Sequence, residues 1–223
     1  MDWRYNTIWF EQLDADNYLN QDLKVVRKLS DNFTKVEYAI LWHLKHNETS
    51  FDNLPGSDKL SYMDLHWANL KNLQGIEKFS NLKRLELHYC TKLETDLGIS
   101  QLSKTLQYLH INRSKKFSLS DELLSLTELR VLCLNACGPI NNLAFLKHFP
   151  NLIDFRFVDT NVIDGDLTPI IEHPTIRSVG FLNKRHYNLS DVQVDKELDL
   201  KSDVEYRHYA YKGRYQTKRY DYI

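Results

Sequence analysis

A nine-residue phrase recurs along the chain. It reads Leu82-Lys-Arg-Leu85-Glu-Leu87-His-Tyr-Cys90 and returns as Leu129-Arg-Val-Leu132-Cys-Leu134-Asn-Ala-Cys137. Weaker copies hold the same places: Leu60/Met63/Leu65/Ala68, Leu106/Leu109/Ile111/Ser114, Leu152/Phe155/Phe157/Thr160 and Ile176/Val179/Phe181/Lys184. The first positions fall at 60, 82, 106, 129, 152 and 176, in steps of 22, 24, 23, 23 and 24 residues. A single match is within reach of chance; six in register are not. Apolar residues at alternate positions mark a short strand with one buried face. Such a strand cannot bury its own leucines, so neighbouring copies must stack into a quasi-one-dimensional array. The ninth position is small in five of the six copies, as suits a crowded turn where the chain leaves the strand.

With its period of about 20–29 residues, the phrase L-x-x-L-x-L-x-x-C resembles that of the leucine-rich repeat family, over roughly Lys59 to Ser190. The chain is similar to small stand-alone bacterial members. The resemblance implies an α/β fold: a curved solenoid with a parallel concave sheet and short helices or 3₁₀ turns on the convex side. It also implies binding of other molecules, most often proteins, on the concave sheet. The expected division is an N-terminal α/β cap over 1–58, repeats over 59–190 and a tyrosine-rich C-terminal hairpin cap over 191–223.

Terminal repeats need caps over their open apolar ends. In Asp14–Leu29, the apolar residues Tyr18, Leu19, Leu23, Val26 and Leu29 approach helical spacing and predict a helix. Val36 to Leu44 alternates as a strand, and Trp3, Trp9 and Trp42 read as cap core. Between repeats, Asn72–Phe79 suits a helical or 3₁₀ turn, and Ser120–Leu126, Asn142–Phe149 and Thr168–Glu172 predict short convex helices, the last with Thr168 as N-cap and Pro169 at its first position. Near the C-terminus, Val204–Tyr211, a Lys212-Gly213 turn and Arg214–Tyr222 read as a β-hairpin.

Charge points to no anionic partner, because 29 Lys+Arg stand against 30 Asp+Glu. Met1–Phe10 lacks the pattern of a signal peptide, and no run is long enough to span a bilayer. Three cysteines do not make a disulfide framework. A cytoplasmic chain, monomeric and without membrane contact, is expected.

If positions 1, 4, 6 and 9 point inward, positions 3, 5, 7 and 8 project from the concave sheet. Strands stack about 4.8 Å apart, so each position forms a column of neighbours. The first three repeats hold most of the aromatic, histidine and carboxylate side chains. Tyr62, Asp64, His66, Trp67, Arg84, Glu86, His88, Tyr89, Tyr108, His110 and Arg113 are the expected partner contacts, several of them types enriched at hot spots. A Trp in the middle of a concave sheet has no packing reason to be there. The rival arrangement is a face partly covered by the chain's own termini.

Asp64, Glu86 and His110 share one column, with His66 and His88 beside them, and these types suit zinc. Side chains so placed also simply hydrogen-bond to one another, and no H-x-H, HExxH or C-x-x-C spacing is present. No metal and no cofactor are assigned. Cys133 lies one repeat from His110, but no phosphate loop or nucleophile elbow accompanies them and no second domain closes a pocket. No catalytic residue is expected. The predicted function is non-catalytic capture of a protein, with an immunity protein neutralising a toxin as the specific form. The alternatives are an adaptor recruiting a client and, last, nucleic-acid binding through the basic tyrosine-rich tail.

Overall fold

The fold is described from a computed structural model, over residues 1–45, 49–201 and 207–220. Each repeat phrase forms one strand of a parallel sheet: β3 (Tyr62–His66), β4 (Arg84–His88), β5 (Tyr108–Asn112), β6 (Val131–Asn135), β7 (Asp154–Arg156) and β8 (Ser178–Gly180). Two more strands precede them, β1 (Tyr18–Asp22) and β2 (Tyr38–Trp42), and the eight lie in sequence order. Registry is strict: Tyr62 pairs with Arg84, and Arg84 with Tyr108. Inward positions of the six phrases stack into one continuous core, with Leu85, Leu109, Leu132 and Phe155 fully buried in one file. Each such side chain gains about 1.5–3 kcal/mol by leaving water.

The convex side carries 3₁₀ turns at Ile76–Lys78, Ile99–Leu102, Leu123–Ser125 and Ala144–His148, and a short helix α2 (Thr168–Glu172). Four of these fall within the predicted convex segments; Ile99–Leu102 was not predicted. Thr168 lies inside α2 rather than capping it; Asp166 accepts the Thr168 backbone N–H instead, at 3.0 Å.

Three expectations about the flanks need correction. Asp14–Leu29 is not a helix. It folds as a 3₁₀ turn (Ala15–Asn17), strand β1 and a single helical turn, α1 (Leu23–Val26). The reason is the open edge of β2, which β1 satisfies by parallel pairing along its whole length; Leu19, Leu23 and Leu29 pack on the core while Val25 and Val26 face solvent. Second, β2 belongs to the repeat: Val36, Ala39, Leu41 and Leu44 occupy its four inward positions and are buried. Third, the C-terminal hairpin, β9 (Arg207–Lys212) and β10 (Tyr215–Tyr220), forms its own two-stranded sheet and does not extend the solenoid. The far end is covered by helix α3 (Asp191–Asp199), which buries Val194 and Leu198 and starts with a Ser190/Gln193 capping box. Val204–Tyr206, Asp221 and Tyr222, also assigned to the hairpin, lie outside the described residues.

The hairpin and the first thirteen residues lie across the concave sheet. Ile8 packs with Tyr38, Ile40 and Tyr62, joined by Met1, Trp3, Phe10 and Leu13. Tyr220 packs with Tyr108, Val131 and Cys133. The two segments also bond to each other: Asn6 N–H donates to the Lys218 carbonyl at 2.7 Å, and Thr7 N–H to the Thr217 hydroxyl at 2.9 Å.

Candidate functional site

Third- and fifth-position side chains, among them Tyr62, Arg84, Tyr108, Val131, Cys133 and Asp154, meet these two covering segments. Tyr62, Asp64, Arg84, Glu86 and Tyr108, five of the expected contacts, are buried. They are packing and pinning residues in this structure, because the chain's own termini occupy the face where a partner would sit. Arg84 shows the arrangement. It is 2% exposed, its Nε donates to Glu86 at 2.7 Å, and its other nitrogens donate to the carbonyls of Trp3 (2.8 Å), Tyr5 and Asn6 (3.0 Å). Its guanidinium also lies 3.9 Å from the Tyr108 ring centre. Burial pushes the Glu86 carboxyl up, but Arg84, His110 and His88 outweigh it and hold Glu86 well below the usual carboxylate range.

A second buried cluster pins the hairpin. Asp154 accepts from the Tyr220 hydroxyl and from Arg156 at 3.0 Å, with Lys218 at 3.7 Å. Cys133 lies beneath Tyr220, and burial pushes its thiol above the ordinary range. The Cys133/His110 pair therefore offers no accessible nucleophile.

Burial also pulls Lys218 down to about 8, with Arg156 and Arg207 adding to the fall and Asp154 opposing it. Between that value and the 10.5 of the unfolded chain, the unfolded state holds one more proton, so stability must rise with pH across this window. We expect the stability of wild type minus that of Lys218→Met to be flat below pH 7 and to climb from pH 8 to 10.5. Urea denaturation at pH 7, 8.5 and 10 reads this directly, and a constant difference would refute it.

Positions 7 and 8 lie at the C-terminal rim of the strands, where His66, Trp67, His88, Tyr89 and Arg113 stay at least partly open to solvent. The eighth-position residues His43, Trp67, Tyr89, Arg113, Ala136 and Asp159 all have φ between 50° and 58°. Side chains other than glycine resist this left-handed turn by roughly 1–2 kcal/mol. Here it lets the N–H of each residue from His43 to Ala136 reach the seventh-position carbonyl of the next strand, at 2.8–2.9 Å. The repeat thus imposes the strain, and the residue type at each rim position is a separate choice.

Those choices make two ranks of rings. In the seventh-position rank, Trp42 stacks on His66 at 4.0 Å and His66 on His88 at 4.8 Å, with His110 edge-on to His88. In the eighth, His43 stacks on Trp67 at 5.1 Å, Trp67 on Tyr89 at 5.3 Å, and Arg113 lies 5.4 Å from the Tyr89 ring centre. Trp67 is 42% exposed. It sits at the rim and not mid-sheet, and its two ring neighbours are the packing reason the sequence did not reveal. Of the eleven expected contacts, His66, Trp67, His88, Tyr89, His110 and Arg113 stay at least partly open to solvent. Trp42 and His43 were missed as members; the signal was the phrase Val36/Ala39/Leu41/Leu44, 24 residues before Leu60.

The imidazoles are held in a directed chain. The Val158 N–H donates to Asn135 Oδ1 at 2.9 Å, turning the Asn135 amide toward His110 Nε2 at 3.1 Å. His110 Nδ1 and His88 Nε2 both meet Glu86 Oε2, at 3.2 and 3.0 Å, and Asn112 Nδ2 meets His88 Nδ1 at 3.2 Å. Burial lowers the His88 pKa, but the Glu86 hydrogen bond and charge, with Asp64, leave it raised. No helix among the described residues is long and apolar enough to cross a membrane.

No family model and no curated protein matches the chain. Among solved structures, an internalin, InlF, from Listeria monocytogenes superposes with a TM-score of 0.51 at 16% identity, over 78% of this chain and 49% of that one. The chain thus spans about half the length of that protein. A second internalin from the same organism, internalin C2, gives a TM-score of 0.44 at 21% identity, over 68% of this chain and 73% of that one. At this identity the likeness speaks to the fold.

Proposed function

The chain is a leucine-rich repeat protein by fold, and from that premise we propose that it is a non-catalytic protein-binding module acting through the rim of its sheet. One observation carries the reading: the partly exposed stack His43–Trp67–Tyr89–Arg113, backed by the Trp42–His66–His88 rank. Trp, Tyr and Arg are the types that dominate binding hot spots, and rings already stacked lose little side-chain freedom on binding. The stack crosses four strands, roughly 14 Å at about 4.8 Å per gap. That suits the centre of an interface rather than the whole of one.

The acidic part of the expected patch is absent from this surface. Asp64 and Glu86 are buried, so attraction to a basic toxin is not what the rim offers. Nucleic-acid binding through the hairpin is weakened in the same way: Lys212 pairs with Glu11, Lys218 with Asp154 and Arg219 with Asp2. The hairpin tip instead exposes Tyr209, Tyr211 and Tyr215, a second aromatic surface.

The test is capture from native cell extract with wild type beside a Trp67→Ala/Tyr89→Ala double variant, its folding checked by circular dichroism. We expect a partner held by wild type and weakened about 30-fold or more in the variant, the loss of about 2 kcal/mol that marks a hot spot. The identity of that partner, a toxin or a client of a larger assembly, separates immunity from adaptor. A partner held equally by both proteins would move the site to the hairpin tip.

A further inference from the structure

The least explained group in the molecule is the Asp64 carboxylate. The residue is 8% exposed; its Oδ2 meets the Tyr62 hydroxyl at 3.3 Å and His66 Nε2 at 3.0 Å, while Oδ1 is buried and carries no hydrogen bond. Leaving a buried acceptor unpaired costs about 1–3 kcal/mol. His66 Nε2 lies 3.0 Å from that oxygen as well, and His88 Nε2, whose hydrogen bond goes to Glu86 Oε2 at 3.0 Å, lies 3.8 Å from it. We propose that Asp64, His66 and His88 bind a divalent transition metal of the zinc class, with water completing a tetrahedral shell.

Zinc bonds of about 2.0–2.1 Å place tetrahedral ligand atoms roughly 3.3–3.4 Å apart. The observed 3.0 and 3.8 Å straddle that spacing, and closing the site has His88 Nε2 exchange its Glu86 hydrogen bond for the metal. The surroundings hold the ligands in place, as outer-shell groups do around metal sites. Trp42 stacks on His66 and holds that ring, and the Tyr62 hydroxyl sits 3.3 Å from the other carboxylate oxygen; the His66 and His88 planes lie within 14° of each other, so the His88 ring must turn to bring its lone pair to the ion. A metal on His88 Nε2 moves the ring proton to Nδ1, which asks Asn112 to present its carbonyl instead of its amide. Both histidines keep some solvent exposure, 18% and 14% of their side chains, which provides a route for the ion.

A neighbouring triad, Glu86, His88 and His110, has the same donor types within the same reach, but two features set it aside. Arg84 already neutralises Glu86 at 2.7 Å. The Val158 N–H fixes the Asn135 amide, which donates to His110 Nε2 and keeps the proton of neutral His110 on Nδ1, the atom a metal would need. Asn112 has no such backbone bond on its carbonyl among the described residues.

The experiment titrates the full chain, stripped with chelator, with Zn²⁺ by calorimetry and with Co²⁺ by visible absorption, which reports tetrahedral coordination. One equivalent is expected, with a tetrahedral cobalt band. Asp64→Asn and His66→Gln should each weaken binding at least about tenfold, a loss that outer-shell changes alone already reach. His110→Gln should leave both readouts in place. Thermal melts confirm that each variant folds; if Asp64→Asn does not, His66→Gln carries the comparison. Failure of wild type to take up one equivalent, uptake unchanged in His66→Gln, or loss confined to His110→Gln would each overturn the assignment.

Discussion

Arg84→Ala should cost about 3–5 kcal/mol of folding stability, the range found when one member of a buried ion pair is removed. The total for a domain is about 5–15 kcal/mol, so this single change removes a large share of it. Its size has three sources. Glu86 stays buried, with its carboxylate losing the nearest cation. The carbonyls of Trp3, Tyr5 and Asn6 lose a shared donor, which frees the N-terminal segment. The Tyr62 and Tyr108 rings lose the guanidinium that lies between them. Urea denaturation gives the magnitude, and hydrogen exchange at residues 3–8 shows whether the segment has lifted. Arg84→Met/Glu86→Leu should recover part of the loss, because an apolar pair leaves no charge buried alone. A loss below about 1 kcal/mol, the scale of a surface pair, would show that Arg84 pins nothing.

The repeats were legible because their signal is dense. Leu85, Leu87, Leu132 and Leu134 belong to a phrase that returns in register six times, and each is fully or almost fully buried. Strand β2 was harder to place in the repeat because Ala39 stands where the phrase wants leucine. Strand β1 misled through Tyr18, Leu19, Leu23, Val26 and Leu29, whose near-helical spacing is overridden by the free edge of β2. For the site, the columns follow from the register, while Tyr62, Asp64, Arg84, Glu86 and Tyr108 are covered. The register that aligns Asp64, Glu86 and His110 follows from the period alone. The cover over them does not, since it depends on chain ends some 80 and 66 residues away from Arg84 and Asp154. A hint was present in Val131 and Cys133. Apolar residues at positions facing an open concave sheet would stand in water, and these two are instead buried against Tyr220.

Tyr220→Ala should be the matching loss at the other end of the face, about 3–5 kcal/mol, typical of a buried aromatic truncated to alanine. Tyr220 is fully buried, and its removal opens a cavity over Tyr108, Val131 and Cys133. It also takes a hydroxyl donor from Asp154, a carboxylate with no exposure and one oxygen already without a hydrogen bond. Tyr220→Phe separates the two contributions: it keeps the ring and should cost about 1.5–3 kcal/mol, the scale of a hydrogen bond to a charged group. The consequence is spatially specific. Each repeat touches only its neighbours, so the solenoid core should keep its hydrogen-exchange protection while β9 and β10 lose theirs. Limited proteolysis should then cut within 207–220 before any repeat. Equal losses for Phe and Ala would mean that the hydroxyl alone holds the hairpin. Loss of protection spread evenly over the repeats would mean that the hairpin is part of the folding unit rather than a cover laid upon it.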